Sequence, residues 1–165
     1  MEELEKLRKE IDKLDKIIAE LISKRQGLSN KILEAKGGMF TFDPVRERKV
    51  IEKVFSYDID SKLAERIWRQ IISFNLSKQK KLKIGYLRED KFSIAAYESY
   101  FGPYFQIVDF KNVTKLIEGI NNKIIDAAII EKSQLALTKI NSKIKIVSEF
   151  PLNEHFYKKK YLILK

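Results

Sequence analysis

The stretch from Leu4 to Lys36, LEKLRKEIDKLDKIIAELISKRQGLSNKILEAK, decides the fold of the N-terminal half. Apolar residues fall at Leu4, Leu7, Ile11, Leu14, Ile18 and Leu21, and the same rhythm continues through Arg25, Leu28, Ile32 and Ala35. Alternating steps of three and four, held for more than four heptads, are the pattern of a long helix with one apolar seam. A helix over residues 3–36 is some 50 Å long at ~1.5 Å per residue. That is more seam than residues 1–80 can cover alone, so a partner chain is expected. Gly37-Gly38 stops the helix, with Lys36 in its last turn, where a cation suits the helix dipole.

Working outward, Asp43-Pro44 reads as an N-cap aspartate followed by a first-turn proline, opening a second helix to about Phe55 with Val50, Ile51 and Val54 inward. A third helix opens near Asp60-Ser61. Its inward stripe is Leu63 or Ala64, Ile67 or Trp68, Ile71, and then the polar Asn75 and Gln79. At Lys80-Lys81 the pattern changes. Strand-like runs appear at Leu82–Leu87, Phe105–Phe110, Ile124–Ile130, Ile144–Phe150 and Tyr161–Leu164. Helical stretches at Phe92–Phe101, Val113–Asn121 and Ser133–Ile140 separate them. Strand and helix in alternation predict a small α/β domain on a mostly parallel sheet. The expected organisation is a helical domain over residues 1–80 and the α/β domain over 81–165.

The chain has 165 residues with 33 basic and 23 acidic side chains, a net charge of +10. That charge attracts anions, but no base-stacking aromatic platform or nucleic-acid motif accompanies it, so no nucleic-acid partner is expected. The chain has no cysteine, which excludes disulfides and thiolate metal sites. No run of about 18 uncharged apolar residues is present, so no membrane span is expected. The acidic start Met1-Glu2-Glu3-Leu4-Glu5 lacks an apolar signal region, which makes the cytoplasm the expected compartment. The single histidine, His155, stands apart from other ligating residues and reads as structural or solvated, and no metal or cofactor is expected.

The polar residues on the helices carry the chemistry. Arg25 interrupts the apolar seam, as a register-setting polar residue, a snorkelling side chain or an anion ligand. Lys36 is 11 residues on, nearly three full turns, so it shares a face with Arg25 about 16 Å away. Two long cationic side chains from those points can grip opposite ends of one small anion. Arg46 and Glu47 sit just inside the second helix, and Asn75 and Gln79 add neutral donors on the third. Arg8, by itself a solvated charge, is 17 residues before Arg25, about 26 Å along the same helix. The two cannot touch one small ligand within a chain, but an antiparallel partner helix could bring a second copy of Arg8 beside Arg25.

In this order the residues resemble the all-helical class of chorismate mutases over about residues 4–80. The matching stretches are LRKEIDKLD (7–15), LISKR (21–25), Lys36, DPVRER (43–48) and IISFNLSKQ (71–79). The resemblance implies an intertwined homodimer of three-helix chains. Arg25, with Arg8 reaching across from the partner, would hold the two carboxylates of chorismate. Lys36 and Gln79 would donate to its ether oxygen, Glu47 would bind the ring hydroxyl, and Asp43, Arg46 and Asn75 would line the site. The rearrangement of chorismate to prephenate is pericyclic and needs no nucleophile, metal or proton transfer. Conformer selection and fixed donors at the breaking C–O bond suffice. With Lys36 and Arg25 charged and Gln79 neutral near pH 7, a flat pH profile is expected, with activity belonging to residues 1–80.

Residues 81–165 resemble the first lobe of prephenate dehydratase at KIGYL (83–87), FSIAA (92–96), DAAIIEKS (126–133) and IKIVSE (144–149). Where that family has a Gly-rich loop after the first strand, this chain reads Arg88-Glu89-Asp90-Lys91. The second lobe with its Thr-Arg-Phe motif and a regulatory ACT-type domain are missing from the sequence. Dehydratase activity is therefore not expected. The leading function is chorismate mutase in phenylalanine or tyrosine synthesis. The alternatives are isochorismate-pyruvate lyase on the same fold, or a non-catalytic regulatory dimer of the aromatic pathway.

Overall fold

The computed structural model describes residues 1–39, 42–136, 143–152 and 159–165. His155 and the last four residues of the helix expected to Ile140 lie outside them. Two compact units form, Met1–Thr41 and Phe42–Lys165.

The first unit is one helix, α1 (Glu2–Ala35), none of whose residues is buried. The seam residues Leu7, Ile11, Leu14, Ile18 and Leu21 are each at least half exposed. The helix stops as the glycines predict. Gly37 and Gly38 take left-handed φ values of 65° and 75°. Their N–H groups donate back to Glu34 O at 2.9 Å and Leu33 O at 3.0 Å, satisfying carbonyls that the helix end leaves free.

The second unit joins α2 (Pro44–Val54) and α3 (Ser61–Gln79) to an α/β region. That region comprises β1 (Lys83–Leu87), α4 (Ser93–Phe101), β2 (Gln106–Phe110), α5 (Val113–Asn121), β3 (Ala127–Glu131), α6 (Lys132–Leu135), β4 (Ile146–Phe150) and β5 (Tyr161–Leu164). The chain thus passes from helix to strand near Lys80, as its pattern predicts, while the compact unit runs across that point.

The sheet order is β2-β1-β3-β5-β4. β1 pairs in parallel with β2 and β3, and β5 pairs antiparallel with both β3 and β4. The mostly parallel sheet of the sequence reading is therefore a mixed sheet. The reason is the short run of chain between Phe150 and Tyr161. A parallel return needs a crossover of a dozen or more residues, whereas a shorter link turns the chain back. β5 occupies an interior position, and all four of its residues are buried.

α5 packs on the face carrying Leu87, Ala128, Ile130, Leu162 and Leu164. Strand alternation puts Ile129, Tyr161 and Ile163 on the opposite face, where α4 packs against β1 and β3. Gly85 allows the α5 layer to close down: a Cβ there would collide with Ile125 Cδ1 and sit 2.7 Å from Leu116 Cδ1. On the α4 side, Phe101 is ringed by Tyr97, Tyr100, Phe105 and Phe42, with centroids 4.7–6.0 Å away. α3 lies over α4, and α2 packs against α3 and β4.

Candidate functional site

Arg8, Arg25 and Lys36 all come from α1, with Lys36 the residue that caps its C-terminus. Arg8 is exposed and forms a 2.7 Å ion pair with Glu5, one turn back. An exposed pair of this kind is worth little and leaves the guanidinium available.

Asp43, Arg46, Glu47, Asn75 and Gln79 belong to the second unit. Asp43 caps α2: its Oδ1 accepts from the Arg46 N–H at 3.0 Å, and Pro44 opens the helix. This cap sets the first turn, so Glu47 sits one turn in from Asp43. Arg46 is exposed at the same end. Glu47 is covered by its surroundings, and its carboxyl is pushed up to about 7, chiefly by burial. The Arg69 guanidinium pulls in the other direction, and the nearby Asp43 carboxylate adds to the rise. The expected flat pH profile rests on Lys36, Arg25 and Gln79 alone, and a Glu47 carboxyl at about 7 removes its basis.

α3 is capped by Asp60, whose Oδ1 accepts from the N–H groups of Lys62 and Leu63 at 3.0 and 2.9 Å. Its burial differs from the expected stripe. Ala64 and Asn75 are buried, but Leu63 is exposed, and Ile67, Trp68 and Ile71 are only partly covered. The most deeply buried row includes Glu65, Arg69 and Ser73, spaced four apart and at most 4% exposed. Each has found a group in the α/β region. Glu65 Oε1 accepts from the Leu152 N–H at 2.8 Å. Ser73 Oγ donates to the Tyr100 carbonyl at 3.0 Å. Arg69 lies over the Tyr100 ring, its Cζ 4.0 Å from the centroid.

Arg69 is the residue that reasoning from sequence missed. Its Nη1 is 3.5 Å from Glu47 Oε2, which joins α3 to α2. Its Nε and Nη2 find no acceptor among the described residues. The signal was a cation inside the run from Ile67 to Ile72, on one line with Glu65 and Ser73. Asn75 is also buried, with its Nδ2 unpartnered among the described residues. Gln79, one turn on, is the last residue of α3. The structure thus gathers Asp43, Glu47 and Arg69 at the contact of α2 and α3.

In the α/β region, the loop after β1 is closed on itself. Asp90 accepts from the Phe92 N–H at 3.0 Å and from the Tyr161 hydroxyl at 3.0 Å, and Arg88 is paired with Asp109. At the end of β3, Glu131 accepts from Lys159 at 2.7 Å and from Ser133 at 2.9 Å. The Lys159 contact holds the Glu131 carboxyl below the usual range. Among the described residues, no helix is long and apolar enough to cross a membrane.

Residues 7–80 match the family model for chorismate mutase type II. The N-terminal part of the chain is also similar to the bifunctional chorismate mutase/prephenate dehydratase of Aquifex aeolicus (strain VF5), 36% identical over 96 residues. That similarity covers 53% of this chain and 26% of the relative, so the chain spans about a quarter of that protein's length. No solved structure matches the chain. The resemblance read from residues 4–80 is borne out by the family match.

Proposed function

We propose that the chain is a chorismate mutase, rearranging chorismate to prephenate in phenylalanine or tyrosine synthesis. The observation that carries this reading is the family match over residues 7–80. That span holds the whole ordered set Arg8, Arg25, Lys36, Asp43, Arg46, Glu47, Asn75 and Gln79.

The active form is an intertwined homodimer in which the apolar seam of α1 finds its cover. Arg25 of one chain and Arg8 of the other bind the two carboxylates of chorismate, a task suited to the planar guanidinium fork. This holds the enolpyruvyl group over the ring, so the reacting carbons meet without a costly search. As the C–O bond breaks, negative charge grows on the ether oxygen. Lys36 and Gln79 donate to that oxygen and so stabilise the transition state more than the ground state. The ionised Glu47 accepts from the ring hydroxyl, with Asp43, Arg46 and Asn75 around it. No covalent intermediate and no proton transfer are involved.

Prephenate dehydration is the second activity in the name of the Aquifex aeolicus relative and is not proposed for this chain. The loop over residues 88–91 has no glycine, and Asp90 is occupied by Phe92 and Tyr161. One assay tests both statements. Purified protein should deplete chorismate absorbance and give a product that acid converts to phenylpyruvate. Prephenate supplied directly should remain unchanged without acid. Unaltered chorismate at high protein concentration overturns the mutase reading.

A further inference from the structure

We propose that Arg69, seated on the Tyr100 ring, is a positioning residue that orients the Glu47 carboxylate toward substrate, so that the α/β region completes the mutase site. The inference rests on the reading of Glu47 as ligand of the ring hydroxyl.

Arg69 is 1% exposed, yet among the described residues only Nη1 meets a carboxylate, Glu47 Oε2 at 3.5 Å, while Nε and Nη2 have no acceptor. A guanidinium buried on that account alone would be costly. Its compensation is the ring below it: Tyr100, 1% exposed, faces the guanidinium at 4.0 Å. Burial pushes the Tyr100 phenol up to about 12, so the ring under the cation stays neutral. Tyr100 is itself fixed by edge contact with Phe150 of β4 at 5.6 Å and by Ser73 at its carbonyl. The order of support is therefore β4, then Tyr100 of α4, then Arg69 of α3, then Glu47 of α2. Only the last of these would touch substrate. The charged and titratable groups around Glu47 are Arg69 on α3, Asp43 on its own helix, and Tyr100 on α4. Of these, Arg69 alone favours the ionised carboxylate that can accept from a hydroxyl.

The full-length chain tests this in four variants: Arg69→Gln, Arg69→Lys, Tyr100→Leu and Tyr100→Phe. The kcat/KM for chorismate is followed from pH 5 to 9, alongside ¹³C NMR titration of the Glu47 side-chain carboxyl without substrate. Losing an opposite charge at this range raises a carboxyl by roughly one pH unit or more. Arg69→Gln should move both the acid limb of kcat/KM and the NMR titration up by that amount. At pH 7 a limb moved from about 7 to about 8 is roughly a fivefold loss, nearing tenfold at lower pH and recovered as pH rises. Arg69→Lys keeps the charge and should restore most of the profile. Tyr100→Leu should move the limb in the same direction, whereas Tyr100→Phe keeps the ring and should match wild type. Should Arg69→Gln not fold, the two Tyr100 variants decide the matter. A folded Arg69→Gln or Tyr100→Leu protein with the wild-type limb overturns the proposal. A wild-type chain inert toward chorismate, with the NMR shift still present, instead overturns the mutase reading and leaves the Arg69–Glu47 coupling standing.

Discussion

Ser73 Oγ donates to the carbonyl oxygen of Tyr100 at 3.0 Å, both groups buried. The bond ties the middle of α3 to the end of α4, and it is flanked by Gln70 Nε2 on the Glu98 carbonyl at 3.2 Å. α3 is thus fastened along one face to the α/β region by polar groups that would otherwise need water. A buried polar group stripped of its partner costs about 1–3 kcal/mol.

A chain ending at Lys81 makes the first prediction. All the proposed ligands remain in it, but Tyr100, Leu152 and Glu98 are gone, so Glu65, Ser73 and Gln70 lose their bonds to the α/β region and Arg69 loses the ring beneath it. The shortened protein should unfold at lower urea concentration than the full chain, and its kcat/KM should be depressed most below pH 8. Urea unfolding followed by circular dichroism, with the pH profile of chorismate loss, checks both. A shortened dimer with the full-length profile would place everything the reaction needs within residues 1–80.

The pH dependence of the wild-type chain follows from Glu47. Its carboxyl titrates at about 7, raised by burial, and it is the ionised form that accepts from the ring hydroxyl. Activity should therefore be present above that pH and fall as pH drops through it. Because kcat/KM reports the free protein, its limb should lie near 7. In the complex, a hydroxyl bonded to the carboxylate favours the ionised form, so the limb of kcat should lie lower. Gln79→Glu should add an opposite limb, since the introduced carboxyl must be protonated to donate, and the two together give a bell. A wild-type kcat/KM that stays level from pH 5.5 to 8 would remove Glu47 from the site.

What could be read in advance was what is local. The Asp43 and Asp60 caps, the Gly37-Gly38 stop and the β5 boundaries each depend on neighbours within a few residues, and each appears in the structure as expected. The face that α3 buries did not follow from its periodicity. Leu63, Ile67 and Ile71 form the better apolar row, yet the row at Glu65, Arg69 and Ser73 is the more deeply buried. Its partners are distant: Tyr100 is 27 residues from Ser73, and Leu152 is 87 from Glu65. The reversed direction of β5 was missed for another reason: its signal is the short link after Phe150, not the strand itself. A strand's own residues report burial on both faces but not which neighbour it joins. The Arg69–Glu47 pair, 22 residues apart on two helices, belongs with these non-local features.

Lys36→Ala should lower kcat by on the order of 10²-fold or more with a much smaller change in KM. The proposed partner of the ammonium is an oxygen that carries its charge chiefly in the transition state, so the lost interaction appears in the chemical step. Steady-state kinetics on chorismate at saturating concentration reads it directly. A rise in KM at unchanged kcat would assign Lys36 to ground-state binding.

The pair Arg8 and Arg25 tests whether each site is shared between chains. Along one helix they are separated by about 26 Å, too far for one small dianion. Homodimers of Arg8→Ala and of Arg25→Ala should both be nearly inactive, because every site in either lacks one guanidinium. When equal amounts are unfolded together and refolded, random assortment makes half the dimers mixed. In a mixed dimer the Arg8→Ala chain offers its intact Arg25 to a partner whose Arg8 is intact, and that site is whole. The other site of the same dimer receives neither arginine. Half the dimers with half their sites repaired gives roughly a quarter of wild-type activity, as two-fold symmetry requires. Native mass spectrometry identifies the mixed dimers, and their activity should scale with their fraction. Mixed dimers as inactive as their parents would mean that Arg8 does not act across the interface.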